Sequence, residues 1–446
     1  MKLQLARCVI VGTLMLTLVA AGPAKPQGGP YKYIVFATAD PEASACTFYS
    51  SYYGGYICPS LRSAVLAANA NPGSTIQLAH GATYILEYPP VTGDDAWSGD
   101  LNFTTYTHVN FGNVICFANC QAMIQGAPGW HDRLVTIENG AWVDMTGIVF
   151  KGGNLTSGDG GGIKVVGSGQ LYLINSTVTG NKTAAGNGGG IAITDLAGQL
   201  TMDGSVVSLN QANYGGGVSS GGSTDIYGSA IISNTALKGG AYDAFNAGTR
   251  HAFNNSTLSG NTATEQNGAF EDMDGVRAYF NNVTVTNNDA PGNTGGVESV
   301  FPAYIANSVF AGNTINHLPA RDCAGSFHST GYNLIGNAEG CVVALASGDR
   351  FGGNTQPINA LLGPLQFVYG TFVHSPLEGS PLIDTGNPVG CRDAAGTLLQ
   401  TDQLGNPRPE TTGGRCDIGA VEYRLDSNPT PTPIVHIPVY LPLVRQ

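Results

Sequence analysis

The sequence predicts an all-β chain wound into a parallel β-helix, and three observations support this prediction. A short polar phrase recurs along the middle of the chain, and its terminal asparagine falls at Asn181, Asn210, Asn234, Asn261, Asn287, Asn313 and Asn337. A glycine cluster follows the same period, at 160–162, 188–190, 215–217, 239–240, 268 and 295–296. Between these marks, apolar residues alternate at period two. Self-similarity with a period of about 26 residues is typical of a solenoid.

Each repeat contains three short segments with strand character. In one repeat they read GIKVV (162–166), LYLIN (171–175) and STVTGN (176–181). Glycine or asparagine ends each run, as expected at a tight corner. The repeats lack a long helical period, which disfavours leucine-rich and helical solenoids, and propeller blades need about forty residues and four strands. We therefore expect three-stranded coils that stack about 4.8 Å apart.

Stacking gives the recurrent phrase a structural role. Equivalent residues of successive coils should form one interior column of Val178, Val207, Ile231, Leu258, Val285 and Val309. The terminal asparagines should form a hydrogen-bonded ladder, and Asn and Gly tolerate the left-handed backbone that corners need. Several of these asparagines also match the Asn-x-Ser/Thr glycosylation acceptor, but the structural interpretation is favoured.

The one good helical segment covers residues 60–71. Leu61, Val65 and Ala68 share a face, Ser60 is a suitable N-cap, and the Pro-Gly pair that follows the segment ends it. A solenoid must cover the open end of its core. We therefore expect this helix to cap the β-helix at its N-terminal end.

The domain organisation follows from these segments. We expect a signal peptide (1–24), an N-terminal cap region (25–90), the β-helix (91–350), a C-terminal domain (351–425) and a Pro-rich tail (426–446).

Composition restricts the function. The chain has 446 residues, 63 glycines, 11% charged residues and a net charge of −12. Acidity without a basic run disfavours binding to nucleic acid and to anionic membranes. Beyond the N-terminal segment, apolar runs stay shorter than the roughly 18 residues of a membrane-spanning helix, so no transmembrane segment is expected in the mature chain.

The N-terminal residues predict export. Lys2 and Arg7 precede an apolar run at 9–21, and small residues follow it at Gly22 and Ala24. A basic start, a short apolar core and small residues at the cleavage point are typical of a secretory signal peptide. We therefore expect a secreted, extracellular protein.

The cysteines beyond Cys8 number eight and lie in local couples. The expected couples are Cys46 with Cys58, Cys116 with Cys120, Cys323 with Cys341 and Cys391 with Cys416. An exported chain favours disulfides. Eight cysteines allow 105 connectivities, so this pairing is an expectation from proximity. A metal site is disfavoured because the couple in CFANC (116–120) has no second Cys or His pair nearby.

Two terminal strings carry a family resemblance. CPSLRSA (58–64) resembles the Cys-Ser-Leu-Arg-Glu-Ala box of exported bacterial β-helix proteins, with a proline inserted and Ser63 in place of the glutamate. DQLGNPRPETTGGRCDIGAVEY (402–423) resembles the choice-of-anchor class of C-terminal domain. The resemblance implies a secreted or surface-displayed right-handed β-helix of the pectin-lyase-like fold, a class in which many members have no known enzymatic activity.

The tail allows two interpretations. Residues 427–438 form a Pro-rich, semi-rigid spacer, and VYLPLVRQ ends the chain. The tail either attaches the protein to the cell surface, or it is a frayed terminus or a final strand that docks on the domain.

Two neighbouring coils break the repeat with chemically active residues. One carries Asp243 and His251, and the next carries Glu271 and Arg277. Counting from the glycine cluster places the two carboxylates in the column of Val165, Ile193 and Ser220, and the two bases in the column of Leu171, Leu200 and Thr224. Stacked carboxylates about 5 Å apart raise each other's pKa or share a Ca²⁺ ion. The alternative is a solvated corner with weak ion pairs.

The sequence favours a noncatalytic surface protein, a scaffold or adhesin-like rod without a cofactor. Its expected partner is a polysaccharide or a cell-surface or matrix component. The alternative is a Ca²⁺-assisted polyuronate lyase or a carbohydrate-binding protein. In that alternative Asp243 and Glu271 hold Ca²⁺, His251 and Arg277 are the remaining catalytic candidates, and aromatic residues stack on sugars, namely Tyr242, Phe270 and Tyr279.

Overall fold

The computed structural model describes residues 31–50, 55–88, 90, 97–110, 121–273, 275–410 and 413–424. These residues wind into a parallel β-helix of about ten turns, which confirms the predicted fold class. The predicted signal peptide and the Pro-rich tail lie outside the described residues.

A regular coil contributes one strand to each of three rows, as the alternating pattern predicts. The first row consists of Leu101–Phe103, Val135–Ile137, Ile163–Val165, Ile191–Ile193, Val218–Ser220, Tyr242–Ala244, Phe270–Asp272 and Cys341–Val343. The second row consists of Lys32–Val35, Ser74–Leu78, Thr107–Asn110, Trp142–Thr146, Gln170–Ile174, Gln199–Asp203, Ser223–Tyr227, Arg250–Asn254 and Arg277–Asn281. The third row consists of Thr83–Leu86, Ala122–Gly126, Ile148–Lys151, Thr177–Thr179, Val206–Ser208, Ala230–Ile232, Thr257–Ser259, Thr284–Thr286, Val309–Phe310, Leu334–Ile335 and Arg350–Phe351.

The first two rows form one 21-stranded sheet, because Val297–Ala306 and Cys323–Ser329 run through the corner between them. At its N-terminal edge this sheet also includes Thr47–Ser50 and Gly55–Cys58. The third row is a separate 11-stranded sheet.

A short fourth row follows the third and was not predicted from the sequence. It consists of Asn154–Leu155, Lys182–Thr183, Thr235–Lys238, Thr262–Gln266, Asp289–Ala290, Thr314–Ile315 and Leu318–Pro319. Five of its seven segments are two residues long, which is too short to show period-two alternation.

The core is a set of stacked apolar columns. The interior column of the third row contains Phe150, Val178, Val207, Ile231, Leu258, Val285 and Phe310 in register. The prediction that Val309 belongs to this column is wrong, because Val309 pairs with Thr284 and faces outward. A slip of one residue exchanges the two faces of a strand.

Buried asparagines form the predicted ladder at the end of the third row. Asn181, Asn210, Asn234, Asn261, Asn288 and Asn313 are each at most 1% exposed. Each backbone N–H and side-chain amide donates to the side-chain oxygen of the asparagine in the next coil, at 2.8–3.1 Å. The side-chain nitrogens also donate to carbonyls of the preceding coil, as Asn234 does to Val207.

Two expected ladder positions are wrong. Asn288 takes the place of Asn287, which instead adopts the left-handed corner conformation at φ 58°. Asp322 takes the place of Asn337 and ends the ladder, since its Oδ1 accepts from the backbone and side chain of Asn313. Its Oδ2 accepts from the backbone N–H of Asn337.

The capping helix spans Leu61–Asn69, two residues shorter at its C-terminal end than predicted and with Ser60 as N-cap. Arg62 is fully buried and forms a bidentate ion pair with Asp40, at 2.8 and 2.9 Å. Arg62 also donates to the carbonyl oxygen of Gly99 at 2.7 Å. These contacts fix the helix over the N-terminal end of the core.

Three of the four expected disulfides are present in the described residues. They are Cys46–Cys58, Cys323–Cys341 and Cys391–Cys416. The fourth expected pair is not among them, because Cys116 and Cys120 both lie outside the described residues. A disulfide between Cys116 and Cys120 therefore stays a prediction.

Within the described ranges, no helix has the length and apolarity needed to cross a membrane.

The C-terminal segment, residues 357–424, packs back on the outer face of the third row. Val206, Ala230 and Ile232 on that face contact Leu365 and Phe372. Gln403 bonds the Thr257 side chain and the Ser229 backbone carbonyl, among other partners. The cover extends along the row to Val309, which packs with Leu382 and Ile418.

The contacts of this cover include a buried ion pair and a buried histidine. Arg408 and Glu422 lie 2.7 Å apart with side chains at most 1% exposed, and Arg408 also donates to Asn255 Oδ1. The Nδ1 of His374 donates to the Gly363 carbonyl, so its Nε2 accepts from the Ser259 hydroxyl at 2.8 Å.

Replacing one ladder asparagine should destabilise the β-helix. Asn234→Ala leaves the Asn210 backbone N–H without its acceptor and removes one hydrogen bond each from the Asn210 side-chain amide and the Val207 carbonyl. A buried polar group left unpaired costs about 1–3 kcal/mol and each further lost hydrogen bond about 1 kcal/mol, so we expect a loss of about 3 kcal/mol or more in unfolding free energy, measured by denaturant titration. The control Gln356→Ala removes an exposed amide and should stay within about 0.5 kcal/mol; equal effects would contradict a stabilising role for the ladder.

Acid should loosen the C-terminal cover at His374. Burial lowers its pKa below the ordinary value, so protonation favours the undocked form. The contribution of His374 to docking is complete above pH of about 6.5 and declines as the pH falls toward the lowered pKa. The hydrogen-exchange protection of residues 363–374, after correction for the intrinsic pH dependence of exchange, should therefore decrease between pH 7.5 and 5. His374→Asn should remove this decrease and His317→Asn, at an exposed site, should not; a decrease in protection that persists in His374→Asn would disprove the assignment.

Candidate functional site

The chemically distinctive site lies where the fourth row turns into the first. Gly160, Gly188, Gly215 and Gly239 occupy this corner in successive coils with positive φ. In the next coil Asn267 takes the same position at φ 61°. A glycine at this corner brings its backbone against the outward column of the first row, since a Cβ on Gly239 would lie 3.3 Å from Asp243 Cβ.

The outward column of the first row becomes acidic at that point. In register it reads Lys164, Ala192, Ser219, Asp243, Glu271, Glu298 and Ala324. Asp243 and Glu271 are direct partners in adjacent coils, as expected. The prediction that these carboxylates align with Ser220 is wrong by one residue. Ala241 and Ala269 occupy the position of the third glycine of the cluster, so a count that starts from the last glycine begins one residue too early. We call Asp243, Asn267, Glu271 and Glu298 the acidic corner.

The acidic corner is buried and incompletely hydrogen-bonded. Asp243 is 2% and Glu271 4% exposed. The Ser219 hydroxyl donates to Asp243 Oδ2 at 2.8 Å, while Asp243 Oδ1, Glu271 Oε2 and Asn267 Oδ1 have no hydrogen-bond partner. Glu298 accepts from the side-chain amides of Asn267 and Asn293. Buried acceptors without partners are rare and costly.

Burial raises the pKa of both carboxyl groups, Asp243 and Glu271. Loss of hydration raises the pKa of Asp243 to about 6, against the smaller opposing effects of the Ser219 hydroxyl and Lys238. Loss of hydration, and next the charge of Asp243, raise the pKa of Glu271 to about 7. The pair therefore resists carrying two negative charges without a counter-ion.

His251 does not join the acidic corner. It aligns with Thr224 in the interior column of the second row, as expected, and is fully buried. Its ring nitrogens bond the hydroxyls of Tyr242 at 2.9 Å and Thr249 at 2.8 Å. Burial lowers its pKa to about 3, so His251 is a neutral core residue without access to substrate.

Arg277 lies on a different face from both carboxylates. It is exposed and pairs in register with Arg250, while Ala278 is the register partner of His251. The expected alignment of Arg277 with His251 is therefore wrong by one residue, which moves the side chain from the interior to the surface. The structure brings together two of the four predicted site residues, Asp243 and Glu271.

Of the aromatic residues expected to stack on sugars, two are internal. Tyr242 and Phe270 are fully buried and stack on each other in the core. Tyr279 faces outward, stacks on Tyr304 with ring centres 4.9 Å apart, and lies under the Arg250 guanidinium.

Tyr279 belongs to a polar and aromatic surface that the sequence did not reveal. The outward positions of the second row read Trp142, Gln170, Gln199, Ser223, Arg250 and Arg277 in one column and Asp144, Tyr172, Thr201, Asp225, Ala252, Tyr279 and Tyr304 in the next. We call these two columns the second-row face. Trp142 stacks on Tyr172 at 5.3 Å, and Arg250 forms an ion pair with Asp225. The signal in the sequence that could have revealed this surface is the set of outward positions in the alternating pattern of the second-row strands.

A metal centre built from three or more acidic, histidine or cysteine side chains is absent from the described part of the chain. The acidic corner offers a different donor set, the unpartnered oxygens of two carboxylates and one amide, on Asp243, Glu271 and Asn267. Oxygen donors of this kind suit hard cations such as Ca²⁺.

Comparisons with known proteins add a similarity of fold. No protein-family model matches the sequence, and no curated protein matches it. Among solved structures, the crystal structure of pectate lyase Pel9A matches with a TM-score of 0.45 and 15% sequence identity, over 88% of this chain and 96% of that chain.

Proposed function

We propose that the chain is an extracellular, noncatalytic rod that binds a polysaccharide along the second-row face. The observation that carries the proposal is the pattern of this face, in which stacked aromatic pairs flank a polar stretch. Tyr172 and Tyr279 lie four coils apart in register, which is about 19 Å at the coil spacing. Thr201 and Asp225 supply the polar positions between them, and Ala252, which is buried, occupies the third position.

This surface suits a sugar chain chemically. Aromatic rings offer apolar area that can cover the C–H faces of pyranose rings, and the polar tips of Tyr and Trp remain available for hydrogen bonds. Gln199, Asp225 and Arg250 supply donors and acceptors for hydroxyl groups. Arg277 extends this polar column at the surface, and Tyr304 is 37% exposed.

The C-terminal segment leaves this face accessible. It covers the outer face of the third row from Val206 to Val309. The second-row face lies on the other sheet, where Gln199 and Arg277 are exposed. The rod therefore keeps one long polar and aromatic surface open.

The separation of the four predicted site residues supports binding over catalysis. A Ca²⁺-assisted lyase needs its cation and its base at one substrate. Asp243 and Glu271 lie on the first row, His251 lies in the core, and Arg277 lies on the second row.

An extracellular location is supported by the disulfides. Disulfides persist in oxidising compartments, and three are present among the described residues. The predicted signal peptide at 1–24 and the terminal strings CPSLRSA and DQLGNPRPETTGGRCDIGAVEY support export and surface display of a scaffold or adhesin-like protein. We place attachment in the tail, residues 426–446.

Removing aromatic side chains from the second-row face should weaken polysaccharide binding. We expect Trp142→Ala and Tyr279→Ala each to cost about 1 kcal/mol, roughly fivefold in affinity. Affinity electrophoresis against a panel of neutral polysaccharides and uronans measures this loss. Tyr369→Ala is the matched control, because Tyr369 is 86% exposed on a distant hairpin. A panel without a single retarded glycan, or equal losses in all three variants, would reject the proposal.

Deleting residues 426–446 should release the protein from the cell surface into the medium. The deletion removes the proposed attachment segment and leaves the described fold intact. Fractionation of expressing cells with an antibody against the rod measures the shift. An unchanged distribution between cells and medium would contradict attachment through the tail.

A further inference from the structure

We propose that the acidic corner is a binding site for a hard divalent cation, with Ca²⁺ the fitting ion. Its buried oxygens are Asp243 Oδ1, Glu271 Oε2 and Asn267 Oδ1. The site lies on the first row, so it is independent of the proposed polysaccharide-binding face.

Unpartnered oxygens are the first support. All three atoms are buried and without a hydrogen-bond partner. Asp243, Asn267 and Glu271 are 2%, 0% and 4% exposed. A buried acceptor that lacks a donor loses its hydration without compensation, and a bound cation supplies that compensation to all three at once.

Asn267 is the second support, because it is not part of the carboxylate column. The four preceding coils place glycine at this corner with positive φ, and Asn267 keeps the same backbone conformation at φ 61°. Its side-chain amide donates to Glu298, which follows Glu271 in the outward column. The side chain is therefore introduced in the one coil whose outward column carries Glu271.

Charge is the third support. Asp243, Glu271 and Glu298 are consecutive in the column, and Lys238 is the cation that acts on both Asp243 and Glu271. Lys238 is half-buried, and one ammonium group cannot balance three carboxylates. Ca²⁺ accepts six to eight oxygen ligands in flexible geometry, so water completes the coordination.

Titration of the full chain with CaCl₂ after treatment with chelator tests the proposal, by calorimetry and by thermal unfolding. Wild-type protein should bind one Ca²⁺ and unfold at a higher temperature when loaded. Glu271→Gln should weaken binding by about tenfold or more, the scale seen when even an outer partner of a metal site is lost.

Two substitutions at Asn267 distinguish a ligand from a structural residue. Asn267→Gly restores the glycine of the preceding coils, so it should fold and bind Ca²⁺ more weakly. Asn267→Asp adds a charged oxygen ligand and should bind Ca²⁺ more tightly than wild type. Glu265→Gln, at an exposed carboxylate of the fourth row, should leave the affinity unchanged.

Three outcomes would overturn the proposal. The first is wild-type protein that does not bind Ca²⁺. The second is binding that Glu271→Gln and Asn267→Gly leave unchanged. The third is an unfolding temperature that rises on acidification from pH 8 to 6 and does not change with Ca²⁺. In that case a proton shared by Asp243 and Glu271, and not a cation, would compensate the buried carboxylate oxygens for their lost hydration.

Discussion

The stacked asparagines at the end of the third row are the interaction on which the rest of the structure depends. From Asn210 onward, each one accepts hydrogen bonds from the backbone N–H and the side-chain amide of its counterpart in the preceding coil. The side chains are buried, so a coil displaced by one residue would leave several polar groups unpaired in the core. The ladder therefore sets the register between coils, and the register decides which residues form each inward and outward column.

Inward and outward columns are constrained differently. An inward column must fill the core, so Phe150, Val178 and Val207 are followed by similarly apolar residues, and His251 is tolerated only because hydroxyl groups satisfy both ring nitrogens. An outward column need only remain solvated or covered, so its chemistry is free to change. The acidic corner and the second-row face both arise in outward columns.

The C-terminal segment changes the rod from a symmetric repeat into an object with distinct faces. By packing on the third row it buries Val206, Ile232 and Val309, which would otherwise be exposed apolar residues. Arg408 and Glu422 are buried together, and Arg408 also donates to the Gly419 carbonyl, so removing either partner would leave a buried charge uncompensated. As a result the second row keeps the accessible surface, although every coil supplies the same three rows.

The sequence by itself determined the coil period, the β-helix class, the asparagine ladder, the capping helix and three local disulfide couples, because these depend on spacing and on residue type. Only the tertiary structure decided which face each candidate residue occupies. The interval from one recurrent phrase to the next varies from 24 to 29 residues. Counting along the chain therefore misplaced Val309, Asn287 and Arg277 by one residue. In a strand one residue is the difference between core and surface. Docking of residues 357–424 on the third row was equally inaccessible to local patterns, because its contacts join residues more than 100 positions apart.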